Sequence, residues 1–94
     1  MAHVLIRHRV SDYDKWKSVF DGFIETRRAG GEKSFRIFRS QDEPNNLTLL
    51  FEWNTFKDAH KFLGSAALHD AMSKAGVTER PDIVLLEEAG HGVV

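Results

Sequence analysis

The segment LTLLFEW (residues 47–53) alternates without a break. Extended, it puts Leu47, Leu49, Phe51 and Trp53 on one face and Thr48, Leu50 and Glu52 on the other. A strand this apolar on one side must be covered there, and the other side keeps Leu50 among polar groups. KSFRIFRS (33–40) has the same period, with Phe35 and Ile37 opposed to Arg36 and Phe38. The turn-rich QDEPNN (41–46) between them makes the pair a hairpin. HVLIRHRV (3–10) and PDIVLLEEA (81–89) are two further strands. In the first of these, His8 shares a face with Val4, Ile6 and Val10, while His3, Leu5, Arg7 and Arg9 take the other.

Two helical stretches separate the strands. In SDYDKWKSVFDGFIETRRAGG (11–31), Tyr13, Trp16, Phe20, Phe23, Ile24 and Arg27 recur at helical spacing. Ser11 or Asp12 supplies the cap, Asp14 sits near the positive end, and AGG stops the helix. NTFKDAHKFLGSAALHDAMSKAGV (54–77) is capped by Asn54 or Thr55 and broken or bent at GSA (64–66). Gly76 ends it, and Phe56, Ala59, Phe62, Leu63, Leu68, Ala71, Met72 and Ala75 form its buried face.

The order β-α-β-β-α-β predicts an α+β, ferredoxin-like fold: a four-stranded antiparallel sheet with the helices on one face. The face bearing Val4, Ile6, Phe35, Ile37, Leu47, Leu49, Phe51 and Trp53 is assigned to the helices. The open face keeps Leu5, Phe38, Leu50 and either Val84 with Leu86 or Ile83 with Leu85, mixed with Arg7, Arg9, Arg36 and Glu52. Exposed apolar area costs about 25 cal/mol per Å². Apolar groups interspersed with charges of both signs suit a subunit interface. The expectation is a homodimer packed through the open sheet faces, the alternative a monomer with an amphipathic solvent face.

At 94 residues the chain fits one domain, residues 1–94, of a size often helped by a partner subunit. Charged residues make up 29% of it but nearly cancel, to a net −1, which gives no footprint for nucleic acid or an anionic membrane. With no cysteine, disulfides, thiol catalysis and thiolate metal sites are excluded. No apolar run is long enough to span a bilayer and the N-terminus does not read as a signal-peptide core, so a cytoplasmic location is expected. The tail GHGVV (90–94) is expected to be mobile.

DYDKWKSVF after the first strand and LFEWNTFKDAHKFLGSAALHDAMSKAGV around the hairpin's end resemble the dimeric α/β-barrel superfamily. The nearest part is the antibiotic-biosynthesis-monooxygenase-like proteins, with an aromatic ending the third strand (Trp53), an alanine in the helix (Ala59) and a serine beyond it (Ser65). The resemblance covers residues 3 to 89. It implies a dimeric α/β barrel with a ligand held between sheet and helices, and activities such as cofactor-free oxygenation of polycyclic phenols, haem degradation or small-ligand binding. Haem-degrading members carry an asparagine, a tryptophan and a histidine where this chain has His8, Phe62 and Met72. None is retained, so haem degradation is not expected. Many oxygenase-like members have a histidine at the position of Phe62; the chain's own His60 and His69 point elsewhere by helical spacing.

The antiparallel pairing of strands one and three puts His8 beside Leu47 and Leu49 and roughly 15 Å from Trp53. Tyr13, Trp16, Met72 and His69 approach the His8 end, and Phe23, Arg27 and Phe56 the Trp53 end. The functional reading is an apolar cleft for a small aromatic or polyketide-like molecule, with Tyr13, Trp16, Phe20, Phe51, Phe62 and Met72 as ligand-binding residues. His8 is the candidate catalytic base. The competing reading makes the aromatics plain core and gives His8 a backbone carbonyl or a water as partner. Arg27 suits an acidic ligand, but a helix C-terminus favours arginine in any case. No cofactor is expected, and the histidines lack metal-binding spacing, so no metal site is expected either. Two functions compete: a cofactor-independent monooxygenase or cyclase, and a non-catalytic binding or stress-related accessory protein. An RNA-recognition module shares the element order, but LTLLFEW does not carry its motif.

Overall fold

The computed structural model describes residues 2–94. The strands are β1 (Ala2–Arg9), β2 (Glu32–Arg39), β3 (Asn46–Trp53) and β4 (Asp82–Glu87). They form one antiparallel sheet in the order β2-β3-β1-β4, the predicted ferredoxin-like topology. Each predicted helix is two: α1 (Tyr13–Gly22) with α2 (Ile24–Gly30), and α3 (Phe56–Leu63) with α4 (Ala66–Lys74).

Side-chain caps start three of the four helices. Asp12 accepts from the Lys15 amide, Thr55 from Asp58 and Ser65 from Leu68. The break before α4 thus falls where GSA predicted it. The break in the first helix was not anticipated. At Phe23 the amide turns back to the Phe20 carbonyl at 3.2 Å, an i→i−3 bond that tightens the turn after the weak helix former Gly22. The turn changes which side chains face inward. Ile24, expected on the buried stripe, is 37% exposed, and Arg27 is buried at 3%. Gly31, at φ 117°, closes α2 in the left-handed region that glycine enters without strain.

The register puts Val4 opposite Phe51, Ile6 opposite Leu49 and His8 opposite Leu47. These six residues and Trp53 are all buried beneath the helices. Phe35 lies on the same face but at the sheet edge, where it is 37% exposed, and Ile37 is half-buried. α4 covers the sheet loosely: none of its residues is fully buried, and Leu68, Ala71 and Met72 are half-buried.

On the open face the pairings give three rows: Ser34–Glu52–His3–Leu86, Arg36–Leu50–Leu5–Val84 and Phe38–Thr48–Arg7–Asp82. The β4 residues on this face are therefore Val84 and Leu86, while Ile83 and Leu85 face the helix side. Phe38, Val84 and Leu86 are exposed. Arg9 ends its strand in ion pairs within the chain, to Glu43 at 2.6 Å and Glu79 at 3.7 Å, so its charge is already answered.

Candidate functional site

Beneath the helices an apolar cavity of about 60 Å³ is lined by both layers. The sheet supplies Val4, Ile6, His8, Glu32, Leu49, Phe51 and Trp53; α1 and α2 supply Trp16, Val19, Phe20 and Arg27; and α3 and α4 supply Phe62, Leu63, Leu68, Ala71 and Met72. The open sheet face bears a larger trough of about 820 Å³, but it is an open depression lined largely by polar side chains such as Ser34, Arg36, Glu52 and Glu87. The space beneath the helices is instead lined mostly by apolar side chains, with His8, Arg27 and Glu32 among them.

Six of the seven residues predicted for the site line this cavity: His8, Trp16, Phe20, Phe51, Phe62 and Met72. Tyr13 does not. It is half-buried at the rim, 5.8 Å from the Trp16 ring, and the Arg39 guanidinium covers its ring at 3.9 Å. His69 lies on the exposed side of α4. Trp53 pairs with Ala2, six residues from His8 along β1. That is about 20 Å of strand rather than 15. Phe62 packs on Trp53 (4.9 Å) and Phe23 (5.9 Å), so it walls the end away from His8. The cavity's aromatics are also core: Trp16, Phe20 and Phe51 are buried members of the central cluster.

His8 is 6% exposed, and neither ring nitrogen has a hydrogen-bond partner among the described residues. The backbone carbonyl that a plain core histidine would use is not there. The Trp16 ring meets the imidazole edge-on at 5.9 Å. Burial lowers the pKa of His8 to about 4, so the ring is neutral at pH 7 and offers one donor and one acceptor.

At the other end, Arg27 and Glu32 form a buried ion pair of 2.8 Å, their side chains 4% and 5% exposed. Arg27 also donates to the Phe20 carbonyl at 3.1 Å and lies over the Phe20 ring at 3.7 Å. Desolvation lowers the Arg27 pKa and raises that of Glu32, and each charge opposes the other's shift. Arg27 Nε and Glu32 Oε1 have no partner among the described residues. The sequence reading missed this pair. Arg27 stood on the predicted stripe, but Glu32 carried only the signal of an acid five residues beyond it, across the AGG stop. Among the described residues no cluster of three or more potential metal-binding side chains occurs.

No protein-family model and no curated sequence matches the chain. Solved structures do match. SnoaB, a cofactor-independent oxygenase from Streptomyces nogalater, superposes with a TM-score of 0.78 at 15% identity, covering 96% of this chain and 94% of that one. The chain has the fold of the antibiotic biosynthesis monooxygenases. One structure so described matches with a TM-score of 0.73 at 14% identity, over 96% of this chain and all of the other. Rv0793 from Mycobacterium tuberculosis matches at 0.69 with 17% identity, over 98% of both chains. Identities this low establish the shared monooxygenase-type fold, and chemistry must be argued from the side chains.

Proposed function

We propose that the protein is a cofactor-independent monooxygenase-like protein whose cavity takes a small, flat, hydroxylated aromatic or polyketide-like molecule. The observation that carries this reading is His8, buried in an aromatic-walled cavity with both nitrogens free of protein partners. A phenol or an enol of the ligand satisfies them. The basic nitrogen then takes a proton from the ligand, and the anion left behind stabilises the imidazolium across a dry gap, restoring basicity that burial suppressed. The electron-rich carbanion reduces O₂ directly. In an anthrone-type substrate a ring CH₂ becomes C=O, one oxygen atom enters the product and the other leaves as water. Four electrons leave the carbon and four reduce O₂, so the substrate is its own reductant.

The described cavity is smaller than the roughly 300 Å³ typical of ligand sites. Entry requires its wall to move. The loosely packed α4, with Met72 and Leu68, is the wall that costs least to displace. The open face completes the proposal: Phe38, Val84, Leu86, Leu5 and Leu50 pack against a second copy in a two-fold homodimer, with Arg7, Arg36 and Asp82 answering one another across the interface.

The test is oxygen uptake with anthrone-like and 1,3,5-trihydroxy aromatic substrates. Wild type consumes O₂ only with substrate, and His8→Ala abolishes most of the uptake while the fold is retained. A second reading, binding without turnover, is favoured by the low basicity of His8. Tight binding across the same panel with no wild-type uptake would establish it and refute catalysis.

A further inference from the structure

The mechanism above uses His8 and leaves the other polar end of the cavity unassigned. Three contacts lead from one end to the other along a single wall: His8 to Trp16 (5.9 Å, edge-on), Trp16 to Phe20 (4.8 Å, stacked) and Phe20 to the Arg27 guanidinium (3.7 Å). A molecule running along the cavity past the edges of these stacked rings thus meets an imidazole at one end and an ion pair at the other. The Arg27 to Glu32 contact is made through one guanidinium nitrogen and one carboxylate oxygen. A second guanidinium nitrogen goes to the Phe20 carbonyl, and Nε and Oε1 are left over. A buried donor and a buried acceptor without partners are costly, and both belong to side chains that line the cavity.

We propose that Arg27 and Glu32 form a second recognition pole of the cavity, one that binds a neutral hydroxyl at the end of the ligand away from His8. This rests on the reading of the cavity as a ligand site. The choice of a neutral group follows from charge. The pair is already balanced, so a carboxylate there adds an uncompensated negative charge beside Glu32, and an ammonium adds a positive one beside Arg27, both out of water. A hydroxyl accepts from Nε–H or donates to Oε1 and changes no charge. The ligand class is then narrower than flat and apolar: a two- or three-ring aromatic hydroxylated at both ends of its long axis. Arg27 and Glu32 act as specificity-determining residues, and His8 keeps the proton chemistry.

The probes are 2,6-naphthalenediol, 2-naphthol and 6-hydroxy-2-naphthoate, titrated calorimetrically at pH 7.5. Wild type binds the diol about 10-fold or more tighter than 2-naphthol, because a site built to hydrogen-bond a hydroxyl rejects the analogue lacking it. It binds the naphthoate more weakly than the diol. In Arg27→Met/Glu32→Leu the diol loses its advantage over 2-naphthol while 2-naphthol still binds. Arg27→Lys keeps the charge but removes Nε, and it too erodes the preference; it carries the test should the double variant not fold. Equal wild-type affinities for diol and 2-naphthol, a preference that survives both variants, or a naphthoate bound as tightly as the diol would overturn this assignment alone. Failure of wild type to bind any of the three would overturn it together with the ligand-site reading.

Discussion

His8 should make the folded protein acid-sensitive over a defined range, by an amount the structure sets. Its pKa falls from 6.5 to about 4 on burial. The unfolded chain therefore takes up a proton on this residue at a pH where the folded chain refuses it. Stability linked to His8 is fully present above pH 6.5 and is lost as pH falls from 6.5 toward 4, where protonation of the folded state ends the loss. A depression of this size corresponds to roughly 3 kcal/mol. The perturbation is His8→Leu, which replaces the imidazole with an apolar side chain in an apolar pocket. The assay is urea unfolding followed by tryptophan fluorescence at one protomer concentration, at pH 7.5, 6.5, 5.5 and 4.5. Both tryptophans are buried, so the signal reports the core. The other ionisable groups are common to both proteins, so the difference between wild type and variant isolates His8. Between pH 7.5 and 4.5 the variant should lack about 2.5 kcal/mol of the wild-type decline, and at pH 7.5 it should be the more stable protein by about 1–3 kcal/mol, since a buried polar group without partners has been removed. Parallel declines in the two proteins would refute the claim that His8 is buried, neutral and unpartnered. A variant less stable than wild type at pH 7.5 would refute the claim that the imidazole costs the fold anything.

The ion pair and the open face make further predictions of their own. Arg27→Met leaves the Glu32 carboxylate buried alone and should cost about 3–5 kcal/mol in urea unfolding, whereas Arg27→Met/Glu32→Leu should recover most of that loss; equal losses in the two would show that the pair contributes through packing alone. Light scattering of wild type at micromolar concentration should give twice the 10.7 kDa chain mass, and Phe38→Lys/Val84→Lys should reduce it to the single-chain value. A wild-type mass near 10.7 kDa would refute the open-face packing.

The architecture was legible because period-2 and period-3.6 patterns are written in side chains that must be covered. LTLLFEW declares its buried face, and His8 falls beside Leu47 once strand three is known to run antiparallel to strand one. The pairing also settled what alternation in VLL could not, since Val84 opposite Leu5 puts the Val84 and Leu86 pair on the open face. Local backbone events were not legible. A helix drawn straight through Phe23 places Ile24 on the buried stripe; one tightened turn exposes it and leaves Arg27 buried. Glu32 was invisible as a partner because its role depends on α2 stopping at Gly31, so that a strand begins with its side chain directed under the helix that has just ended.

Glu32, which the sequence pattern did not reveal, and His8, which it placed on the covered face, line the same cavity, and the reason is physical. A core that served stability alone would place leucine or phenylalanine at residues 8, 27 and 32, as it does at the positions around them. The fold instead buries an imidazole with no protein partner and an ion pair with two unused hydrogen-bonding atoms. Each loses stability that the surrounding aromatic packing must supply. On the proposed reading, these buried groups at both ends of one apolar cavity, roofed by a helix with no fully buried residue, gain their missing partners from a ligand. Binding should therefore stabilise the protein beyond the contribution of apolar contact, and the excess should vanish when His8 and the Arg27–Glu32 pair are replaced by apolar side chains. A diol that raises the unfolding temperature of wild type and of such a triple variant equally would show that these groups are tolerated by the fold rather than used.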